Sequence, residues 1–287
     1  MDHRLTPPRP ATSDPALVPL HRHVENMVEE DRTLGIAVPP EHGFGLRQRT
    51  KAVDLIASNR IEGLTGVHSR GTNAFRALRQ ARESLTGTAG GDPSQWVEAL
   101  CRAHQWLAAH GVLDGQPSGG FRNVDVAVAN HIAPSAAEVP RLMAHWAATY
   151  NTGAVSSTAV AVIDALCAHH RLLYIHPFRD GNGRIARLDL DARLRAAGLH
   201  CGLAWAVSGG MYRAEAQYHR ALAKADSPRR GDRDGRGALS QAGLIAYCEA
   251  MVAILQCEIK RQKRRIVEMA RIKKGSVGGI YGSARDE

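Results

Sequence analysis

Residues 176 to 187 read His-Pro-Phe-Arg-Asp-Gly-Asn-Gly-Arg-Ile-Ala-Arg. The residue types suit one task, which is to hold a polyphosphate and a metal beside a base. Gly181 and Gly183 carry no Cβ, so the backbone can turn with positive φ and approach a ligand closely. Their N–H groups and that of Asn182 can converge at the start of a helix, where anions bind readily. Arg184 and Arg187 lie three apart on its first turn and can reach one ligand together. Their planar guanidinium forks grip phosphate oxygens in pairs. Asp180 supplies a hard oxygen of the kind Mg²⁺ takes when it shares the ion with phosphates. His176 can accept a proton near neutral pH, as a general base must. An ordinary glycine-rich loop between core helices would explain none of these types together.

Position for position, the stretch resembles the signature of Fic-domain proteins: His, any, Phe, any, Asp or Glu, Gly-Asn-Gly-Arg, any, any, Arg. The resemblance implies an all-α Fic fold, a helical bundle with a short β-hairpin flap over the active site. It also implies a protein adenylyltransferase, which moves AMP from ATP to a Tyr, Thr or Ser hydroxyl of a target protein. His176 is then the base and Asp180 holds Mg²⁺ or Mn²⁺. The backbone of Gly181, Asn182 and Gly183 cradles phosphates, Arg184 grips the β-phosphate and Arg187 the γ-phosphate, while Phe178 anchors the loop in the core. A Doc-like kinase on the same fold stays open, although that branch places Lys where this chain has Gly183. So does a non-catalytic regulatory or nucleic-acid-binding module.

A second motif lies upstream. Ser58 and Glu62 are four apart, share a helix face and are followed by Gly63, a helix stop. Ser58-Asn59-Arg60-Ile61-Glu62-Gly63 is similar to the inhibitory motif of many Fic proteins. Motifs this short recur by chance, and the segment gains weight from the company of the signature. The resemblance implies that Glu62 pairs with Arg187 and blocks the γ-phosphate, and that it could also position water for AMP removal.

The elements that must position these residues are helical by pattern. Helices are expected over residues 17–32, 47–62, 73–85, 94–109, 140–149, 157–174, from the signature to near Gly198, and over 211–225. A last helix starts near Ser240, with Leu244, Cys248, Met251, Leu255 and Ile259 on one face. Val53, Ile56 and Ala57 line one face of the second helix. Trp96, Leu100 and Leu107 read as core. Alternation of Val124, Val126 and Val128 places the hairpin within residues 121–133, where the family's flap holds a target segment by strand addition. His169 and His170 point about 100° apart on a helix and cannot readily share an ion, so both read as structural. Tyr212 reads as core, with a place beside a nucleotide base as the alternative. Asp232 and Asp234 lack calcium-loop spacing.

At 287 residues and 44% apolar, the chain can build one large domain with an appended piece. The division expected is residues 1–45 as a Pro-rich, partly disordered extension, 46–110 as a helical region carrying the inhibitory motif, 111–260 as the Fic core, and 261–287 as a basic tail. Five cysteines without CxxC spacing suit reduced thiols better than disulfides or zinc. No signal-peptide pattern and no uninterrupted apolar run of membrane-spanning length is apparent, so a cytoplasmic protein is expected. The net charge of +9 is concentrated in Lys260, Arg261, Lys263, Arg264, Arg265, Arg271, Lys273 and Lys274. Without interleaved aromatics that cluster reads as a solvated helix end, and nucleic acid is not the expected partner. The expected partners are ATP and a target protein, with a homodimer left open.

Overall fold

The structure, a computed structural model, describes residues 5–64, 69–85, 92–110, 113, 119–150, 157–201, 203–228 and 239–278. Among these, the chain forms ten α-helices and one two-stranded sheet. In order they are α1 (Leu17–Ala37), α2 (Pro40–Ile61), α3 (Ser69–Ser84), α4 (Pro93–Ala109), β1 (Ala127–Val128), β2 (His131–Ile132), α5 (Val139–Tyr150) and α6 (Thr158–Ile175). Then come α7 (Asn182–Ala196), α8 (Val207–Arg213), α9 (Glu215–Ala225) and α10 (Gln241–Gly278). The strands are antiparallel, with Ala127 opposite Ile132 and Val128 opposite His131. The helical fold with a small hairpin is the one expected.

The centre of the molecule is α6 packed along α7. Ser157 caps α6 by accepting the Val160 N–H at 3.3 Å, and the helix is buried on nearly every face, from Val162 and Leu166 to His169 and His170. A helix apolar all round belongs inside a bundle. α7 is as deeply buried but carries Arg184, Arg187, Asp189 and Asp191 inside. Each must be paired, since an isolated buried charge is very costly. Asp189 accepts from Trp96 Nε1 at 2.7 Å and from Arg193 Nε at 2.9 Å. Asp191 takes Arg82 at 2.8 Å and Arg195 at 3.0 Å. Trp96, Leu100 and Leu107 are core, as their pattern implied.

Several expectations are revised. Residues 5–16 are not loose: Leu5 is buried, Arg9 pairs with Asp164 at 2.5 Å, and Arg171 Nη2 donates to Pro7 O at 2.7 Å. α1 packs on α10 through Leu20, Val24, Met27 and Leu34, so this N-terminal segment shares the one core. α2 begins at Pro40 rather than Arg47, because Pro39–Pro40 fits the first turn. Its buried residues are Thr50, Asp54, Leu55, Ala57, Ser58 and Asn59, whereas Ile56 is 44% exposed. A polar buried face cannot be found by apolar periodicity. The 211–225 helix is two helices broken at Ala214.

Two helices, α6 and the Gln241–Met269 part of α10, are long and apolar enough to cross a membrane by composition. Neither is an uninterrupted apolar run, since α6 holds Asp164 and Arg171 and α10 holds Glu249 and Glu258; both are largely buried inside the bundle, and a core helix passes the same test. Asp232, Asp234 and the side chains of Arg271, Lys273 and Lys274 lie outside the described residues.

Candidate active site

The loop of the signature is closed by its own side chains. His176 ends α6 in the left-handed region, φ 51° and ψ 61°, with its N–H on Leu172 O at 3.1 Å. That conformation is uncommon for a residue with a Cβ and turns the chain sharply. The Asn182 side chain bridges the turn, accepting the Phe178 N–H at 2.9 Å and donating to Phe178 O at 2.7 Å. Its amide therefore shapes the loop, and only its N–H is left for an anion. Phe178 is fully buried and stacks on the His104 ring at 4.0 Å. Gly181, at φ 82°, starts α7, and a Cβ there would press on Leu113 at 3.0 Å.

His176 Nδ1 lies 3.3 Å from Leu173 O. A carbonyl only accepts, so Nδ1 carries the proton and Nε2 keeps its lone pair. Burial pushes the imidazole down to about 4, and the nearby Arg122 guanidinium pushes the same way. The ring is therefore neutral across the physiological range, as a proton acceptor must be.

The other arm of the site is α2. Arg187, buried, donates from Nε to Ser58 Oγ at 3.0 Å, and from Nη2 to Ser58 O at 2.9 Å and Glu62 Oε1 at 2.6 Å. Gly63, at φ 73°, ends the helix directly after Glu62. Burial alone would raise the Glu62 carboxyl, but Arg187 above all holds it below the usual carboxylate range. A Cβ on Gly183 would collide with Glu62 Oε1, so this carboxylate rests against the glycine at the start of α7. Ser58, Glu62, Gly183 and Arg187, 121 or more residues apart across the two motifs, thus meet at one point.

Arg184 is buried, and its Nε and Nη1 have no hydrogen-bond partner. Its Nη2 lies 3.4 Å from both Asp180 oxygens. The Asp180 side chain remains 38% exposed. One accessible hard carboxylate beside the glycine turn fits an ion that takes its remaining ligands from phosphate and water, the usual habit of Mg²⁺. Among the described residues no three His, Cys, Asp or Glu side chains cluster as a metal cage. His169 bonds Tyr247 Oη at 2.8 Å and His170 bonds Asp226 at 3.1 Å. Both histidines are held by core partners.

A cavity of about 480 Å³ opens beside this cluster, lined by His176, Gly183, Glu62 and Arg187 on one side and by the hairpin residues Val128–His131 on another. The hairpin falls inside residues 121–133. Tyr218 of α9 lines the cavity, whereas Tyr212 lies outside it under the Arg60 guanidinium, 5.7 Å from its ring centre.

Three supporting residues went unassigned in the sequence. Arg122 is buried and donates from Nε to His176 O at 2.7 Å, from Nη1 to Val124 O at 2.9 Å and from Nη2 to Pro134 O, joining the hairpin base to the histidine. His104 Nε2 lies 3.1 Å from Asp180 O. Tyr218 is pressed against Arg187, whose charge resists the upward push that burial gives its hydroxyl, to about 12. No local pattern marks these residues; an arginine two places from the valine alternation was the faintest available sign.

The fold and the arrangement of the site resemble those of Fic-domain proteins. Residues 94–192 match the Fic/DOC family. Over 102 residues the chain is 35% identical to the protein adenylyltransferase Fic of Drosophila melanogaster, covering 36% of this chain and 20% of that protein. The chain thus spans about a fifth of the length of the curated relatives it matches. The fold is similar to that of a Fic family protein from Desulfovibrio desulfuricans G20, with TM-score 0.63 and 24% identity over 88% of this chain and 75% of that one. It is similar also to Fic-1 from C. elegans, with TM-score 0.66 and 16% identity over 91% and 75%.

Proposed function

We propose that this chain is an autoinhibited protein adenylyltransferase, which transfers AMP from ATP to a hydroxyl side chain of a target protein. The observation that carries the reading is the Glu62 carboxylate on Arg187 and against Gly183, placed beside a neutral His176. In the reaction, His176 Nε2 takes the proton of the target hydroxyl as its oxygen bonds to the α-phosphorus. The bond from that phosphorus to the bridging oxygen breaks, and pyrophosphate leaves. The N–H groups of Asn182 and Gly183 hold phosphate oxygens, and Arg184 and Arg187 hold the β and γ ends. The Gly181 N–H, which donates to Asp180 Oδ1 at 2.5 Å in this structure, exchanges that partner for phosphate. Such positioning and charge stabilisation form the bulk of catalysis in phosphoryl chemistry. Asp180 would hold a Mg²⁺ or Mn²⁺ ion, whose contribution is to offset phosphate charge.

While Glu62 occupies Arg187, the γ-phosphate meets a carboxylate instead of a cation. ATP then binds with its α-phosphorus out of line. A displacement of about 1 Å can slow transfer roughly a hundredfold. The hairpin edge at Val128 and Ile132, 47% and 81% exposed, would hold the target segment by strand addition. Possession of Gly183 rather than a lysine favours AMP over γ-phosphate transfer. Incubating Glu62→Gly protein and a cell lysate with α-labelled or γ-labelled ATP separates the two. Label from α alone is expected, and label from γ alone would convert the reading to a kinase.

A further inference from the structure

A second groove, of about 860 Å³, runs between the first half of α2 and the residues around Ile266 on α10, and none of its lining residues belongs to the signature loop. Sites for small molecules occupy roughly 300–1,000 Å³. Its apolar wall is formed by Leu46 and Val53 of α2 and Ile266 and Met269 of α10. Met269 is 53% exposed, so apolar surface faces the opening.

Cations stand over this trough. Arg49 of α2 and Arg265 of α10 both line it, and neither has an ion-pair or hydrogen-bond partner among the described residues. Burial lowers the Arg265 guanidinium first, and Arg49 and Arg261 add to that. Glu258, the acid nearest in effect, is already held by Arg213 and by Arg261 at 2.8 Å. Glu41 also lines the groove, but it lies eight residues before Arg49, about 12 Å away along a helix. Apolar wall and unanswered positive charge together call for an amphipathic anion.

Gly45 adds a third observation. Glycine inside a helix costs about 0.5–1 kcal/mol relative to alanine, yet a Cβ at Gly45 would meet nothing within 4 Å. Packing therefore does not require glycine there. A larger side chain at Gly45 would enter the groove, which this residue lines, without meeting another group at its Cβ.

We propose that this groove is a binding site for a long-chain carboxylate, with the acyl chain along Leu46, Val53, Ile266 and Met269 and the head group on Arg49 and Arg265. An occupant that touches both α2 and α10 favours the arrangement in which it binds. That arrangement has Glu62 on Arg187, so the ligand holds the site closed; this consequence rests on the inhibitory reading above.

The test is calorimetry with monomeric dodecanoate on the full chain. Saturable binding at one site is expected, weaker by about tenfold or more for octanoate, which buries fewer methylenes. Arg49→Ala/Arg265→Ala should weaken binding by about tenfold or more, as charge-assisted bonds are lost. Gly45→Trp, which fills the trough from an open position, should abolish it while the melting temperature stays near wild type. Absence of saturable binding, or equal binding by both variants, overturns the site. So does binding to phosphatidylglycerol vesicles alone, or a dimer that excludes dodecanoate. Hydrogen exchange across residues 50–61 should slow with bound ligand; full binding with unchanged exchange overturns the coupling and leaves the site. Absence of AMP transfer in every variant would instead count against the proposed activity and leave the binding result standing.

Discussion

A histidine that acts as a base must be neutral when its substrate arrives, and burial brings His176 to about 4, well below the usual 6.5. Transfer by Glu62→Gly should therefore be flat between about pH 5.5 and 8. Removing Glu62 also removes an upward influence on the ring, so the inflection cannot move up. An inflection near 6.5 in a pH–rate profile would show a solvated imidazole instead. Ser58 is a smaller lever. Its Oγ contributes one of several bonds that fix Arg187, beside those of Ser58 O, Glu62 and Tyr218, and such a bond is worth about 1 kcal/mol. Ser58→Ala should raise transfer several-fold over wild type and stay well below Glu62→Gly. Rates indistinguishable from wild type would show that Glu62 alone holds the arginine. The residue types of these two motifs were legible because each has a local spacing. His104, Arg122 and Tyr218 were not, since each reaches the loop from another element and its role exists only in three dimensions.

At the scale of elements, two arginines join parts distant in the chain. Arg82 of α3 sits between Asp54 of α2 and Asp191 of α7, at 3.3 and 2.8 Å. Asp54 also accepts the Ser208 N–H at the start of α8 at 2.6 Å. One buried cation therefore ties the helix that bears Glu62 to the helix that bears Arg187. Arg82→Ala leaves two buried carboxylates without it, and breaking a buried pair in this way costs about 3–5 kcal/mol. Equilibrium urea unfolding should show that loss; a change below about 1 kcal/mol would mean that the three helices are held by apolar contacts alone. Arg122→Ala similarly strips the His176, Val124 and Pro134 carbonyls of a donor. Transfer in the Glu62→Gly background should fall at least tenfold, and Arg122→Lys, with a single ammonium, should restore it only in part. Most helices were legible from the 3.6-residue period and their stops, such as Ser157 at the start of α6 and Gly63 after α2. The buried face of α2 was not legible because Thr50, Asp54 and Ser58 are buried to meet charges on other helices, which leaves Ile56 outside.

Across the whole molecule, buried histidines set the response to acid. Burial lowers His169 to about 3 and His170 to about 4. The unfolded chain takes up these protons below about 6.5, while the folded chain refuses them until near 4. Stability is therefore complete above about pH 6.5 and is lost as the pH falls towards 4. His176, lowered to about 4, adds a third proton of the same sign, whereas Asp54, raised by burial to about 6, has the opposite sign and offsets one of the three. The net slope between pH 6 and 4 is about 2.7 kcal/mol per pH unit for two protons. Urea midpoints that fail to drop over that interval would contradict the burial of the histidines. The central claim concerns Glu62 and His176, and one comparison tests it most directly. AMP transfer from α-labelled ATP with Mg²⁺ is measured for wild type, Glu62→Gly and Glu62→Gly/His176→Ala, each with itself and with cell lysate as acceptor. The account predicts faint labelling by wild type, roughly a hundredfold more by Glu62→Gly, and none by the double variant. Equal labelling by wild type and Glu62→Gly, or undiminished labelling by the double variant, would contradict it.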